Sequence, residues 1–492
     1  MPHLTLEPTG IDIHPDNSRV IVRAFIPDDH RLIARIINRA LTLGTAEIAD
    51  CLKELHRLFD SRHPALTTNW EHHYAHVRQF VEDEDQLTSE QRLYIGALFS
   101  GEYTVESAAL FNPSIVPHPD QSGIPGGAVR FIMSLRATGE GHISSIAFRT
   151  GMIHPNGSVS LDQQTGHVSA PDLNPNPTFR RNQFSRKIQD MNLNTPWTQE
   201  VMESLGDTFT RNELNEVLHT ACGITRCDNR EVRQSLECIQ WLSLVNYEVE
   251  FDSSIPLTER IIFPNSPSES NGIEDARFVR FVEEDGVVKY FATYTAYNGH
   301  SILPQLLETS DFLSFRARSL GGSGVHNKGM ALFPRRIGGE FAMIARQDDE
   351  NLYLMLSEDV RVWDESRVLR HPEADWEAIK IGNCGSPIET PEGWLLLTHG
   401  VGAMRRYCIG ALLLDLDDPS IVLGCLSEPL IEPDEKGRNG YVPNVVYTCG
   451  AMLHAGKLIL PYGLSDSSTT IKTIDLKTLL NALLTTNKKR TN

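Results

Sequence analysis

Gly272-Ile273-Glu274-Asp275-Ala276-Arg277-Phe278 puts three charged side chains at the head of an apolar run. Phrases of the same polar-then-apolar kind recur along the chain. They are Phe111-Asn112-Pro113-Ser114-Ile115, Asn327-Lys328-Gly329-Met330-Ala331-Leu332-Phe333, Cys384-Gly385-Ser386-Pro387-Ile388-Glu389-Thr390 and Val442-Pro443-Asn444-Val445-Val446-Tyr447. From Asp275 to Lys328 is 53 residues, from Lys328 to Ser386 is 58, and from Ser386 to Asn444 is 58. A period of that size is near the length of a propeller blade. The gap from Asn112 to Asp275 is 163 residues, one such unit plus an insertion.

The text between the phrases supports strands. Tyr290-Phe291-Ala292-Thr293-Tyr294, Phe341-Ala342-Met343-Ile344-Ala345, Leu352-Tyr353-Leu354-Met355-Leu356 and Trp394-Leu395-Leu396-Leu397-Thr398 are short apolar runs bounded by turn residues. The expected fold is therefore mainly β, a five-bladed β-propeller over residues 108–480. A mostly helical region is expected at 1–107, a helical insertion at about 160–250 and a polar tail at 481–492. The helical reading rests on three-four apolar spacing, as in Ile33, Ile36, Ile37 and Leu41, and on Thr88 with Gln91 three residues on, a capping-box pattern.

In a propeller the innermost strand of every blade faces one central channel. Asn112, Asp275, Lys328, Ser386 and Asn444 are then expected to converge. Asp275 is the candidate acid or base and Arg277 a neighbour that tunes it. On a regular strand Glu274 and Asp275 would point to opposite faces, and Asp275 would share its face with Arg277. A surface turn with a salt bridge is the plainer reading. Lys328 and Arg346 add positive charge. His399 ends an apolar strand, Asp466 lies where another strand leaves the core, and Tyr407 follows Arg405-Arg406.

Composition narrows the partners. Lys plus Arg is 45 and Asp plus Glu is 64 in 492 residues, a net charge of −19. Nucleic acid and anionic membrane are poor partners for such a chain without a concentrated basic patch. No run approaches 18 apolar residues and no secretory leader is legible, so a cytoplasmic protein is expected. The eight cysteines read as reduced thiols. Cys222 and Cys227, five apart, do not have zinc-knuckle spacing. His72 and His76 read as a helix surface, and Gly321-Gly322-Ser323-Gly324 as a flexible loop near the channel mouth. No metal or cofactor is expected, and a homo-oligomer is left open.

The second half resembles glycoside hydrolase family 130, the β-mannoside phosphorylases and β-mannosidases. The resemblance rests on Gly272-Ile273-Glu274-Asp275-Ala276-Arg277, Tyr294-Thr295-Ala296-Tyr297, Asn327-Lys328-Gly329, Gly393-Trp394-Leu395 with His399-Gly400-Val401, and Val442-Pro443-Asn444-Val445-Val446. It implies inverting cleavage of a β-mannoside oligosaccharide, with Asp275 as proton donor. It also implies a sugar site drawn from Asn112, Glu274, Arg277, Tyr297, His399, Asn444 and Asp466. The family's phosphate positions correspond to Lys328 and Arg346, to Glu389 where a Lys is usual, and to Tyr407 where a His is usual. A carboxylate at 389 would repel phosphate and could activate water. Inverting hydrolases hold base and acid about 6.5–9.5 Å apart. On that electrostatic argument Glu389 is the candidate base and hydrolysis is favoured. Phosphorolysis, with inorganic phosphate as co-substrate and mannose 1-phosphate as product, is the alternative, and a non-catalytic sugar-binding propeller a second.

Overall fold

The computed structural model describes residues 4–225 and 229–490, and Cys227 lies outside them. The fold is mainly β, with two compact units.

The smaller unit comprises Asp16–Ser107 and Gln164–Ser169. Four helices, His30–Leu41, Thr45–Phe59, Leu66–Val77 and Ser89–Leu98, pack with an antiparallel ribbon of Val20–Ala24 and Ser100–Thr104. Asp29 caps the first helix by accepting from the Arg31 amide, and Thr88 and Gln91 form the expected capping box. The apolar stripe Ile33, Ile37 and Ala40 packs with Tyr74, Val77, Ile95 and Phe99. A Cβ on Gly96 would lie 1.9 Å from the Trp70 carbonyl oxygen, so only glycine allows this helix crossing.

The larger unit is built of open antiparallel sheets. Ala109–Pro117, Val129–Thr138 and Ser144–Ile153 pair in sequence. A single parallel bridge, Gly272 with Ser144, joins them to Gly272–Val282, Val288–Tyr297, Ile302–Thr309 and Ser314–Ser319. A four-stranded sheet follows: Ala331–Leu332, Phe341–Ala345, Leu352–Ser357 and Glu365–Arg370. Next, Lys380–Asn383 and Ile388–Thr390 both pair with Gly393–Gly402, which continues to Arg406–Leu414 and Val422–Cys425. In the last sheet Val446–Tyr447, Lys457–Leu464 and Ser468–Asp475 accept Glu7–Ile13 as an outer strand. The N-terminal strand is thus part of this unit and not of the helical region expected at 1–107.

Apolar side chains alternate onto facing sheets, as the two-residue strand period requires. Phe148, Phe278, Phe312 and Phe315 meet at ring separations of 5.6–6.2 Å. Between residues 160 and 250, the helices Arg181–Asp190, Pro196–Glu203, Arg211–Thr225 and Arg230–Val245 share a core with Phe179, Phe184, Trp197 and Phe209. The chain closes with the helix Leu476–Arg490. Leu479, Leu480 and Leu483 are buried in the core shared by the last two sheets, so at residue 481, where a polar tail is expected, a packed helix continues.

The Gly321–Gly324 segment is held, not loose. The Gly322 amide donates to Asp190 (2.6 Å) and the Gly324 amide to the Trp363 carbonyl (2.8 Å). Among the described residues six cysteines are free thiols, whereas Cys222 is disulfide-bonded. No helix there is long and apolar enough to cross a membrane.

Candidate active site

Left-handed backbone marks the strand openings. Asn112 (φ 50°), Asp275 (φ 54°), Asn327 (φ 57°) and Asn444 (φ 62°) all lie in the region that non-glycine residues rarely enter. Asn and Asp tolerate it best, which explains the residue types. At Phe111/Ser114 and again at Glu274/Arg277 the strand register shifts around the left-handed residue. The bulge breaks strict alternation. Glu274 and Asp275 therefore reach one guanidinium, contrary to the opposite-face expectation: Arg136 lies 2.8 Å from Glu274 Oε1 and 3.4 Å from Asp275 Oδ1.

Residues far apart in sequence surround the two carboxylates. Asn112 Nδ2 donates to Asp275 Oδ1 at 2.7 Å, and Lys328 Nζ lies 3.2 Å from Glu274 Oε2. Arg277 is buried. Its Nη1 donates to the Asp275 carbonyl, its Nε to the Cys384 carbonyl and its Nη2 to the Tyr447 hydroxyl, at 2.8–2.9 Å. Burial alone would raise the Asp275 carboxyl, but Arg136, Arg277, Lys328 and the Asn112 bond outweigh it and bring it down to about 2. Asp466, on the turn after Lys457–Leu464, goes the other way. Burial and then the negative charge of Asp275 push it up to about 7, against Arg136 and Arg405. Below that pH, Asp466 is neutral while Asp275 is charged.

A second cluster joins the first through Tyr447. The His399 ring packs against Tyr447 (centroids 4.9 Å apart) and stacks with Tyr407 (6.0 Å, 15° between planes). Arg346 Nη1 meets His399 Nε2 at 2.9 Å, and Nδ1 faces the Asn383 carbonyl at 3.2 Å. An arginine only donates, so Nε2 accepts and Nδ1 carries the proton. Burial, then Arg346, Arg277 and Lys380, hold His399 well below its usual range, so it is a neutral imidazole. Asp349 lies 3.1 Å from Arg346 Nε and 3.0 Å from Lys380 Nζ.

Four expected residues, Glu389, Ser386, Tyr297 and Asn444, are placed differently. Glu389 is at the other end of the strands. It pairs with Arg335 in two bonds of 2.8 and 2.9 Å and lines a cavity with Pro117, Arg280, Val282 and Pro334. Arg335 holds its carboxyl below the usual value. The reason is register: Gly382 pairs with His399, while Glu389 pairs with Trp394, about 16 Å down the same strand at 3.3 Å per residue. Ser386 lines that same distal cavity and is not at the Asp275 end. Tyr297 turns its hydroxyl back to the Gly299 carbonyl (2.9 Å). Asn444 contributes backbone, its carbonyl accepting from the Tyr407 amide (3.0 Å).

Arg136, Lys380 and Tyr447 join the site unforeseen. Arg136 had a legible signal, a lone cation inside the apolar run Phe131–Ala137, where a buried charge needs a partner. Among the described residues no group of three His, Cys, Asp or Glu is placed to hold a metal ion.

The sequence profile described as beta-1,4-mannooligosaccharide phosphorylase, of the Glyco_hydro_130 family, matches residues 247–485. A 1,2-beta-oligomannan phosphorylase of Thermoanaerobacter sp. strain X514 is 31% identical over 245 residues, covering 48% of this chain and 80% of that protein. The chain belongs to glycoside hydrolase family 130. A beta-1,4-mannooligosaccharide phosphorylase of Ruminococcus albus is 34% identical over 163 residues, 30% of this chain and 49% of that one. Among solved structures, the beta-1,2-mannobiose phosphorylase from Listeria innocua in complex with beta-1,2-mannobiose aligns at a TM-score of 0.46 and 21% identity. That alignment covers 77% of this chain and 93% of the other. The family 130 profile begins at Tyr247, so Asn112 and Arg136, which contact Asp275, lie outside the matched segment.

Proposed function

We propose that this chain is an inverting β-mannoside phosphorylase, and that its open sheets are the blades of a five-bladed propeller whose strand openings line the sugar site. The observation that carries the reading is the cluster of Arg346, Lys380 and neutral His399, linked to Asp275 through Tyr447 and Arg277, combined with the turning away of Glu389. A hydrolase needs a carboxylate base facing the acid. Asp349, paired with two cations, is held low and is a weak base. The names of the relatives favour phosphorolysis in the same sense. The preference for hydrolysis drawn from the sequence therefore gives way.

Phosphate, held by Arg346, Lys380 and the half-exposed Lys328, with His399 positioning the Arg346 guanidinium, attacks the anomeric carbon. The C1–phosphate oxygen bond forms as the C1–glycosidic oxygen bond breaks, with inversion. The departing oxygen takes a proton delivered from Asp275, either directly or through a sugar hydroxyl. In the free protein Asp275 is charged, the state suited to accept that proton in the synthetic direction. A bound sugar displaces water and raises its proton affinity for cleavage. Asn112 and Arg136 orient the acid, and Asp466 supplies a neutral carboxyl that can both donate and accept hydrogen bonds to sugar hydroxyls.

The test is a β-mannobiose digest with and without inorganic phosphate. Cleavage that requires phosphate and yields mannose 1-phosphate is expected. Free mannose at the same rate in both digests would overturn the reading.

A further inference from the structure

The turn at 346–351 carries two consecutive aspartates with different partners. Asp348 holds the turn itself. It accepts from the Glu350 amide (3.0 Å), the Asn351 amide (2.8 Å), the Asn351 side chain (2.6 Å) and the Tyr353 hydroxyl (2.9 Å). Asp349, left-handed at φ 62°, reaches the cations instead. Its oxygens lie 3.1 Å from Arg346 Nε and 3.0 and 3.1 Å from Lys380 Nζ, and the Asn327 side chain adds a hydrogen bond. The carboxylate is 52% exposed, whereas the Arg346 and Lys380 side chains are only 8% and 16% exposed. A solvent-facing anion thus covers two largely buried cations, and buried cations are costly without a counter-charge.

A small oxyanion entering from solvent would meet Arg346 and Lys380 from the side that Asp349 occupies. We propose that Asp349 is a resident counter-ion of the phosphate site, filling the oxyanion position in the free protein and yielding it to inorganic phosphate. The inference rests on the phosphorylase reading. Asp349 neutralises the cradle when it is empty, and a dianion, with twice the charge, displaces it. The apparent phosphate affinity is the intrinsic affinity reduced by the fraction of molecules in which Asp349 has moved aside. The opposite role is also definite: a carboxylate that merely positions Arg346 and Lys380 would strengthen phosphate binding.

Calorimetric titration of the full chain with inorganic phosphate separates these roles. Asp349→Asn keeps the shape and removes the charge, and Asp349→Ala removes both. Both variants are expected to bind phosphate about fivefold more tightly than the unaltered chain, with KM for β-mannobiose unchanged. Equal or weaker phosphate binding by both variants would overturn the proposal while leaving phosphorolysis intact. If neither the unaltered chain nor the variants bind phosphate, and β-mannobiose cleavage ignores it, the phosphorylase reading fails and the proposal with it.

Discussion

Asn112 donates a 2.7 Å hydrogen bond to Asp275 across 163 residues of chain, and both residues are in the left-handed backbone region. The bond favours the charged carboxylate, as do Arg136, Arg277 and Lys328. Asn112→Ala should therefore move Asp275 upward and shift the alkaline limb of the kcat/KM profile for cleavage, in which the acid must be protonated, to higher pH. An unmoved limb would show that the bond does not tune the acid.

Asp275→Asn removes the transferable proton and keeps the shape of the side chain. Turnover should fall by about 10²–10⁴-fold, the usual worth of a general acid. Sugar affinity, measured by titration with β-mannobiose, should stay within a few-fold. Full activity in this variant would remove the proposed donor.

Stability should depend on pH through Asp466. Its carboxyl is raised to about 7 in the folded chain from 3.8. Between those values the folded state holds the proton more strongly than the unfolded one, so stability falls as pH rises from about 4 to about 7. The loss is on the order of 3 kcal/mol. Asp275, lowered to about 2, acts oppositely: its contribution is present above about 4 and lost as pH falls toward 2. Denaturant unfolding at pH 5 and pH 8 checks the first window. Asp466→Asn should flatten the difference, and an unchanged slope would contradict the assignment.

Gly382 faces the His399 ring so closely that an added Cβ would lie 2.5 Å from Cε1 and 3.1 Å from Arg346 Cδ. Gly382→Ala should displace both side chains and raise KM for phosphate by about tenfold or more, with a smaller effect on KM for the mannoside. Equal changes in both constants would place His399 and Arg346 outside the phosphate site.

Glu389 sits in an exposed pair with Arg335, the two side chains being 45% and 40% exposed. Glu389→Gln should leave turnover within about twofold and cost no more than about 1 kcal/mol of stability. Loss of turnover on this substitution would restore it as a base.

The repeat of strand-opening phrases made much of this site legible. Asn112, Asp275 and Lys328 were expected together because each heads an apolar run at blade-like spacing, and they are within one network of contacts. The left-handed backbone was not legible, because one-dimensional alternation assumes an unbroken strand. That assumption separated Glu274 from Asp275, which a single guanidinium joins. Glu389 misled for a related reason. A phrase that spans Cys384 to Thr390 runs from one end of the sheet toward the other: the Cys384 carbonyl accepts from Arg277, whereas Ser386 and Glu389 line the distal cavity. Lys380 was missed because it precedes the phrase and its role depends on Asp349, which comes from a turn in the previous sheet.

Phosphorus NMR of the full chain with β-mannobiose and inorganic phosphate, run beside Asp275→Asn, reads the chemistry directly. A growing α-mannose 1-phosphate signal, matched by loss of free phosphate and absent in the variant, is the predicted result. An unchanged phosphate signal while the disaccharide disappears, or a product signal that persists in Asp275→Asn, would contradict it.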